Sequence, residues 1–477
     1  YYTQQQGQLI TATSVAKLLR QLTIKPSFNQ HYLARYFYRG IFHRQGNGTE
    51  TIFKGIYHIP IGCTIEQNGQ YIEVVDKQPL DSDTTLDGSL PDTVERFNHL
   101  LFQAISGCMP TEGHVAVELS GGLDSSAVSA MTRACRMHDP IIAFTNGTAL
   151  THHRPKNPSK KYLSHLHDES SFSRAVAHHL QLNQIIVNDH YHFHDVIEEY
   201  TEILGTMAEV TFPLLNHRCY ELAQNMGVTA LLSGFGGDEM VSPHANTRLH
   251  ELRQQKAYAR YYYETLASKR KDDWLKKLGL LPKSISRLAM PTEHLPFLRE
   301  TDVWIEDEKK AYFPTVKSWE HALTKGDLSV HFNRRIVTSS IIAEHYGIKQ
   351  HFPLTDPALM HFFHHLPSHL KRRHGKGRYL MRHAMHHRLP RKVVWRQDKS
   401  GATAPAAWNN YVQSLPKLFL DRISPDHQGI SADYVNISKL TQAIEKKDPD
   451  GYTTGIIRLS LAVMMLAHLE KWLNELY

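Results

Sequence analysis

Short apolar runs alternate with amphipathic stretches between residues 92 and 239 of this sequence. The runs predict buried strands, and the stretches between them predict helices. Strands that alternate with helices form a doubly wound parallel sheet, so the pattern predicts an α/β fold. The predicted strands are His114–Leu119, Ile141–Thr145, Ile185–Val187 and Thr229–Leu232, and the predicted helices are 124–134, 169–180, a stretch after Asp195, and 216–226.

Residues 1 to about 80 have a different pattern, with short apolar runs separated by turn signals such as Asn68-Gly69. This pattern favours a β-rich segment. The polar, turn-rich segment Lys77–Pro91 is the best domain boundary. We therefore predict a small β-rich domain over residues 1–80 and a larger α/β domain over residues 81–477.

The C-terminal half, from residue 245 onward, has a mainly helical and basic pattern. Its most apolar stretch, Ile456–Leu469, is too short for a membrane span and contains Arg458 and His468. This stretch predicts a buried helix, and we expect no membrane association.

Composition adds limits on the class of protein. A hydrophobic fraction of 41% and a charged fraction of 21% are typical of a globular protein. The net charge of +7 suits an anionic partner such as a nucleotide, a diphosphate, an acidic peptide or nucleic acid, although net charge alone favours a generally basic surface. The 4 cysteines lie far apart with no CxxC, which argues against a zinc site and a disulfide framework. We expect a cytoplasmic protein; the chain opens with Tyr1 rather than Met, so the existence of residues upstream stays open.

A glycine-rich loop follows the first predicted strand and is the strongest chemical signal. Glycines allow backbone N–H groups to approach phosphate oxygens, and the N-terminus of the next helix favours negative charge. Asp124 would repel phosphate unless a cation lay between them, so it is a candidate Mg²⁺ ligand. The loop lacks the GxxxxGK[ST] pattern of a Walker loop. Its residues are Ser120, Gly121, Gly122, Leu123, Asp124, Ser125 and Ser126.

A second glycine-rich loop has the same construction after the strand Thr229–Leu232. Alone it would indicate a plain turn. Its position after another strand of the same sheet makes Asp238 a candidate second carboxylate on the metal, because loops after parallel strands meet at one edge of the sheet. The residues of this loop are Ser233, Gly234, Phe235, Gly236, Gly237, Asp238 and Glu239.

Together the two loops resemble those of the asparagine synthetase superfamily, whose ATP-pyrophosphatase (HUP-like) domain makes an acyl-adenylate that an amine then attacks. Further segments resemble this superfamily through most of the chain. The N-terminal part more weakly resembles the second half of the family's glutaminase domain. The matching segments are Asp168-Glu169, His351–Asp356, Gly377–Arg382, Leu389-Pro390 through Trp395–Lys399, and Ile59–Gly62.

The resemblance implies roles for individual residues. ATP and Mg²⁺ are the implied cofactors, with Asp124 and Asp238 holding the metal. Lys399 would stabilise negative charge on the adenylate and the oxyanion, or be a solvated lysine. Arg378 stands where the family has Lys and would contact phosphate, or be a surface arginine. Glu344 could deprotonate the amine. The predicted cofactor-binding residues are Leu119, Ser120, Gly121, Gly122, Asp124, Ser125, Ser126, Phe144, Thr145, Ser233, Gly234, Gly236 and Gly237, with Leu119, Phe144 and Thr145 framing adenosine or simply forming core.

Departures from the family pattern indicate which branch the chain resembles. Tyr1 is not the cysteine nucleophile of the glutaminase domain, so glutamine hydrolysis is expected to be lost. Lys349 stands where small-molecule synthetases have a Glu, and we expect this reversed charge near the reaction centre. Lasso peptide cyclases are similar in keeping the ATP loops behind a degenerate glutaminase-like domain.

A lasso peptide cyclase activates a side-chain carboxylate of a leaderless core peptide, and the α-amine of that peptide closes a macrolactam. The resemblance implies a peptide substrate, a leader peptidase and a precursor-recognition protein as partners. The alternative is an asparagine synthetase-like or β-lactam synthetase-like ligase, or an amidotransferase, acting on a small carboxylate and ammonia or an amine. No RNA-binding motif is visible, so we expect no nucleic-acid partner.

Overall fold

Five parallel strands form a sheet at the centre of the chain, in the order β7-β6-β5-β8-β9. In chain order, β5 lies at the centre of the sheet, β6 and β7 follow on one side of it, and β8 and β9 lie on the other side. This confirms the predicted α/β class, and the strand order reverses between β5 and β8. β9 was not predicted, because it is short and polar. The strands are β5 (His114–Glu118), β6 (Ile141–Asn146), β7 (Asn183–Val187), β8 (Val228–Leu232) and β9 (Lys349–His351).

Helices cover both faces of this sheet in the computed structural model. It describes residues 1–39, 49–59, 63–69, 71–76, 88–147, 170–187, 193–207, 216–242, 247–267, 327–396, 405–446 and 454–477. The helices before the long internal gap are α1 (Val15–Leu19), α2 (Gln30–Arg39), α3 (Leu90–Ser106), α4 (Leu123–Cys135), α5 (Ser170–Leu180), α6 (Phe193–Leu204), α7 (His217–Asn225), α8 (Thr247–Gln254) and α9 (Tyr258–Leu266). Those after it are α10 (Asp327–His345), α11 (Pro357–His364), α12 (Ser368–Lys371), α13 (Tyr379–Ala384), α14 (Arg391–Val394), α15 (Pro405–Arg422), α16 (Ile437–Glu445) and α17 (Thr454–Leu476).

The two faces of the sheet contribute to two separate hydrophobic cores, because successive strand side chains point to opposite faces. Val115, Val117 and Leu119 belong to the core shared with α3, α4, α5, α11 and α13. Ala116 belongs to the other core, with α6, α7, α10 and α17. The sheet is therefore buried on both faces, as a parallel sheet requires.

Helix α3 shows how local sequence fixes these elements. The Ser89 side chain accepts a hydrogen bond from the backbone N–H of Asp92 and caps the helix, and Pro91 lies in its first turn. The buried residues Thr93, Phe97, Leu101 and Ile105 recur every four positions and form one stripe. This stripe packs into the same core as Val115 and Val117.

The N-terminal segment contains helices as well as strands, so its described part is less β-rich than the pattern predicted. Two antiparallel hairpins join β1 (Tyr2–Gln5) to β2 (Gln8–Thr11), and β3 (Cys63–Asn68) to β4 (Tyr71–Asp76). Apolar side chains of α1 and α2 share a core with α6 and α17. The predicted boundary at Lys77–Pro91 lies mostly outside the described residues, and the division into 1–80 and 81–477 stays a prediction.

Helix α17 confirms the predicted buried helix near the C-terminus. Its residues Leu461, Val463, Leu466 and Leu469 are fully buried. None of the described helices has both the length and the apolarity that crossing a bilayer requires.

Shortening one buried side chain in the middle of α17 tests the importance of this core. Leu466→Ala removes a fully buried side chain, so we expect the free energy of unfolding to fall by about 2–5 kcal/mol. Urea denaturation followed by circular dichroism measures the change. The control is Lys471→Ala, whose side chain is 73% exposed in the same helix. Equal midpoints for the two variants would contradict this account of the core.

Candidate active site

The two glycine-rich loops lie at the same edge of the sheet, at the carboxyl ends of adjacent strands. The first glycine loop, Ser120–Gly122, follows β5, and the second glycine loop, Ser233–Gly237, follows β8. Because β5 and β8 are paired in parallel, both loops start at the point where the strand order reverses. Ligands of doubly wound sheets bind at this position.

The first glycine loop turns directly into α4, whose N-cap is Gly122. The hydroxyl of Ser125 lies 2.9 Å from the hydroxyl of Ser120 and also accepts from the backbone N–H of Ser120, at 3.2 Å. Gly121 has a φ of +77°, and a Cβ there would lie 2.7 Å from the backbone nitrogen of Ser173. The loop is thus held in a tight, hydroxyl-rich turn at a helix N-terminus, where phosphate oxygens are favoured.

The second glycine loop packs directly against the first turn of α4. A Cβ added at Gly234 would lie 2.5 Å from the backbone nitrogen of Ser125, and one at Gly237 would lie 2.4 Å from the carboxylate carbon of Asp124. A distance under 3.0 Å is too short for a real Cβ contact. The backbones of the two loops can therefore come this close only because these positions are glycine.

Asp124, Asp238 and Arg378 form an ionic cluster beside the loops. Nη1 of Arg378 donates to Oδ2 of Asp124 at 3.0 Å, and Nη2 of the same guanidinium pairs with Oδ1 of Asp238. Ser242 donates to the other carboxylate oxygen of Asp124. Asp124 and Arg378 are buried, whereas Asp238 is partly exposed. Three residues that lie far apart in the sequence are thus brought together at the loops.

Arg382 adds a second guanidinium to this cluster. It donates to the backbone oxygens of Gly377 and Val394 and is buried. Burial and, to a smaller extent, the neighbouring Arg378 lower the pKa of Arg382 to about 10, while Asp124 opposes this shift. The two arginines offset the charge of the two aspartates, so a divalent cation would add positive charge for a bound triphosphate.

The two aspartates fit a Mg²⁺ ion that is shared with a nucleotide. Mg²⁺ usually binds one or two carboxylates and completes its coordination with phosphate oxygens and water. One guanidinium reaches both Asp124 and Asp238, so both carboxylates lie at one place beside the phosphate-binding loop. The described residues contain no group of three or more His, Cys, Asp or Glu side chains that could hold a metal alone, so phosphate oxygens would have to complete this site.

The residues predicted to frame adenosine lie where the ends of β5 and β6 join. The backbone N–H of Leu119 donates to the backbone oxygen of Phe144 at 2.8 Å, and the hydroxyl of Thr145 donates to the backbone oxygen of Leu119 at 2.7 Å. The side chains of Leu119 and Phe144 are buried in the two cores. A contact from these two residues to adenosine would therefore use their backbone.

Two residues assigned from the sequence lie away from the loops. Glu344 is exposed, ends α10 and pairs with Lys17 at 2.9 Å. Lys349 is exposed and pairs across the sheet with Ala230, whereas His351 pairs with Leu232 at the end that carries the loops. Helix α10 leads into the starting end of β9, so Glu344 and Lys349 come before the strand end that carries the loops. The role of Glu344 as a base stays a prediction. Lys399 and the pair Asp168-Glu169 lie outside the described residues.

Glu118 is a carboxylate that sequence reasoning missed at this edge. It is the last residue of β5, and its Oε1 accepts from the side chains of Asn216 at 2.7 Å and Gln350 at 3.1 Å. Burial raises the pKa of Glu118, and hydrogen bonds from Ser233, Asn216 and Gln350 oppose that shift. The available signal was a charged residue at the end of an otherwise apolar strand.

Arg335 of α10 lies close to Glu118 and was missed as well. Burial lowers its pKa, while attraction to Glu118 and Glu239 raises it. Its guanidinium carbon lies 3.9 Å from the centre of the Phe235 ring, a residue of the second glycine loop. This arginine therefore links α10 to the face of the sheet opposite α4.

A parallel sheet with two glycine loops at one edge and a two-aspartate cluster beside them fits an α/β enzyme of the ATP-pyrophosphatase type. The family described as Asparagine synthase matches residues 96–474. This match covers most of the chain, and the chain belongs to that family. It is an ATP-dependent ligase that forms C–N bonds. A comparison with curated proteins finds no match.

Replacing Gly234 tests the contact between the loops. In Gly234→Ala the new Cβ would meet the backbone of Ser125 at 2.5 Å, so the first turn of α4 must shift. We expect MgATP affinity, measured by isothermal titration calorimetry, to fall by about tenfold or more, which corresponds to about 1.4 kcal/mol. Gly107→Ala is the control, because a Cβ there meets its nearest atom at an ordinary 3.5 Å. Unchanged affinity in Gly234→Ala would contradict the loop geometry.

Proposed function

We propose that this ligase closes the macrolactam ring of a lasso peptide from its leaderless core peptide. In this reaction a side-chain carboxylate of the peptide is adenylated with release of pyrophosphate. The α-amine of the same peptide then displaces AMP and forms an isopeptide bond. The family supports the amide-forming chemistry, and the surface beside Arg378 supports a peptide substrate.

The observation that supports a peptide substrate is an aromatic surface beside Arg378. We define it as the rings of Tyr263, His374, Tyr379, His383, Trp395 and His386, of which Tyr379 is buried beneath the exposed or partly exposed others. Adjacent ring centres lie 5.9, 6.4, 4.4, 5.5 and 5.7 Å apart along this series. Aromatic rings of this kind offer large contact areas to peptide side chains at low entropic cost.

Positive charge accompanies these rings. The ammonium of Lys376 lies 4.7 Å from the centre of the Trp395 ring, and Arg373, Arg388 and Arg391 are exposed nearby in sequence. A surface that is aromatic and cationic suits a peptide that carries a carboxylate. A small carboxylate such as aspartate would need no surface of this extent.

A short hairpin connects the aromatic surface to the ionic cluster. β10 (Arg372–Arg373) and β11 (Lys376–Gly377) pair in an antiparallel hairpin that leads directly into Arg378. The buried carboxylate of Glu264 in α9 accepts from the backbone N–H groups of His374 at 2.8 Å and Gly375 at 2.7 Å. The hairpin turn is thus fixed, so a substrate bound along the aromatic surface would be held at a defined distance from Arg378.

The residues have distinct roles in the proposed reaction. The first glycine loop binds phosphate oxygens through backbone N–H groups, and Asp124 and Asp238 would hold Mg²⁺. When bound, the metal neutralises charge as pyrophosphate leaves. Arg378 and Arg382 supply further positive charge beside the same oxygens, and Lys399 remains the proposed partner of the oxyanion. Rate enhancement comes largely from holding the amine against the adenylate.

A ligase that takes a small carboxylate and ammonia or an amine is the alternative. The same loops and the same two aspartates would serve that reaction, because its first step is identical. The carboxylate and the amine that are joined both differ, so the product distinguishes the two functions. A leader peptidase and a precursor-recognition protein would be partners only in the first case.

Product analysis tests the proposal. The protein is incubated with MgATP and synthetic core peptides whose Asp or Glu lies near the N-terminus. We expect one peptide to lose the mass of one water, with AMP and pyrophosphate formed in equal amounts. Asp124→Ala should abolish the release of both, because it removes a metal ligand from the cluster.

The control uses the α-amine of the substrate. An N-acetylated copy of the same peptide should still support ATP–pyrophosphate exchange but should not lose water, since its amine is blocked. Formation of asparagine from aspartate and ammonia, with no change in any peptide, would contradict the proposal and support the alternative.

A further inference from the structure

A second charged group lies at the edge of the sheet that carries the loops, on the face opposite α4. It consists of Glu118 at the end of β5, Glu239 beside the second glycine loop, and Arg335 of α10. None of the three side chains is fully buried, and we refer to the space beside them at this edge of the sheet as the crevice. At this edge the strand order reverses between β5 and β8.

The charges of this group are not balanced. Arg335 is attracted to both Glu118 and Glu239, so one guanidinium faces two carboxylates. Burial raises the pKa of both carboxylates, and a cation bound between them would favour their ionised forms. The group therefore favours one additional positive charge.

The hydrogen bonds of Glu118 leave room for this cation. A carboxylate can accept about four hydrogen bonds. Glu118 receives them from the side chains of Ser233, Asn216 and Gln350, and these donors fix its orientation from three neighbouring elements. The Glu118 carboxylate can therefore accept one further hydrogen bond, from an N–H group that enters from the crevice.

We propose that Glu118 binds the attacking amine of the substrate and takes its proton. This inference rests on the proposed function, because it assigns the amine of that reaction to the crevice. Glu118 would then act on one face of β5, while the first glycine loop binds phosphate on the other. The adenylated carboxylate would lie between them, over the end of the strand.

The substrate ammonium gives one proton to the carboxylate of Glu118, and the nitrogen regains its lone pair. That lone pair forms the new C–N bond, the bond between the carbonyl carbon and AMP breaks, and AMP leaves with its electron pair. The second proton on nitrogen is released to water, and Glu118 later loses its proton to water.

The titratable groups around Glu118 determine how its charge depends on pH. Arg335 of α10 favours the ionised form, and the thiol of Cys219 and the phenol of Tyr220 face it from α7. Burial raises the pKa of both Cys219 and Tyr220, so both are neutral near pH 7. Burial also raises the pKa of Glu118, so its carboxylate loses a proton less readily than an exposed one and holds a transferred proton better.

Glu118→Gln separates the two steps of the reaction. The amide keeps the shape and can still bond to neighbours, but it cannot take a proton. With the peptide found by product analysis, we expect ATP–pyrophosphate exchange within about threefold of the wild type, because adenylation precedes amine attack. Ring closure at pH 7 should be slower by about 10- to 100-fold.

Two further readouts distinguish proton transfer from a structural role. The loss of ring-closure rate in Glu118→Gln should become smaller as the pH rises past about 8, where a free α-amine is already neutral. Hydroxylamine, which is neutral at pH 7, should trap the adenylate equally well in both proteins. The control Glu112→Gln changes an exposed carboxylate before β5 and should leave both steps unchanged.

Two outcomes would overturn the inference. One is ring closure in Glu118→Gln at the wild-type rate at pH 7. The other is an equal loss of exchange and closure at every pH, which would show a purely structural role. If the wild-type protein closes no peptide, the proposed function itself fails, and the assignment of the amine to this crevice falls with it.

Discussion

The close approach of the two glycine loops is the constraint on which the rest of the site depends. Gly234 and Gly237 bring the second loop against the backbone of Ser125 and the carboxylate of Asp124. This contact places Asp238 near Asp124, and Arg378 then bridges both. Any side chain at these glycines would separate the loops, and the two carboxylates could no longer share one cation.

The sheet divides the proposed reaction between its two faces. On the α4 face the first glycine loop, the aspartates and the arginines form a site for phosphates and their metal. On the opposite face Glu118, Arg335 and Glu239 form a site for a cation. Because successive residues of a strand point to opposite faces, Glu118 and the neighbouring loop residues reach both sites from one strand end. An adenylate and an amine could thus meet without sharing the same charged groups.

Much of this architecture could be predicted from the sequence, because local patterns determine it. The strands β5 to β8 are apolar runs, and the first loop follows β5 as a continuous string of residues. The strand β9 could not be predicted in this way, because Lys349–His351 is polar and becomes a strand only by pairing with β8. Lys349 was expected near the reaction centre from its place in a motif, and Glu344 was a candidate base. Both come before the end of β9 that lies beside the loops. Glu118 was missed because its partners Asn216, Arg335 and Gln350 come from three distant segments.

Transfer of an isotope tests the central claim, which is that the chain activates a carboxylate as an acyl-adenylate. The substrate carboxylate is labelled with ¹⁸O and incubated with MgATP and the protein, and the released nucleotide is analysed by mass spectrometry. If the carboxylate attacks the α-phosphate, one labelled oxygen appears in AMP and none in pyrophosphate. Label in inorganic phosphate together with ADP, or no label in any phosphate product, would contradict the account.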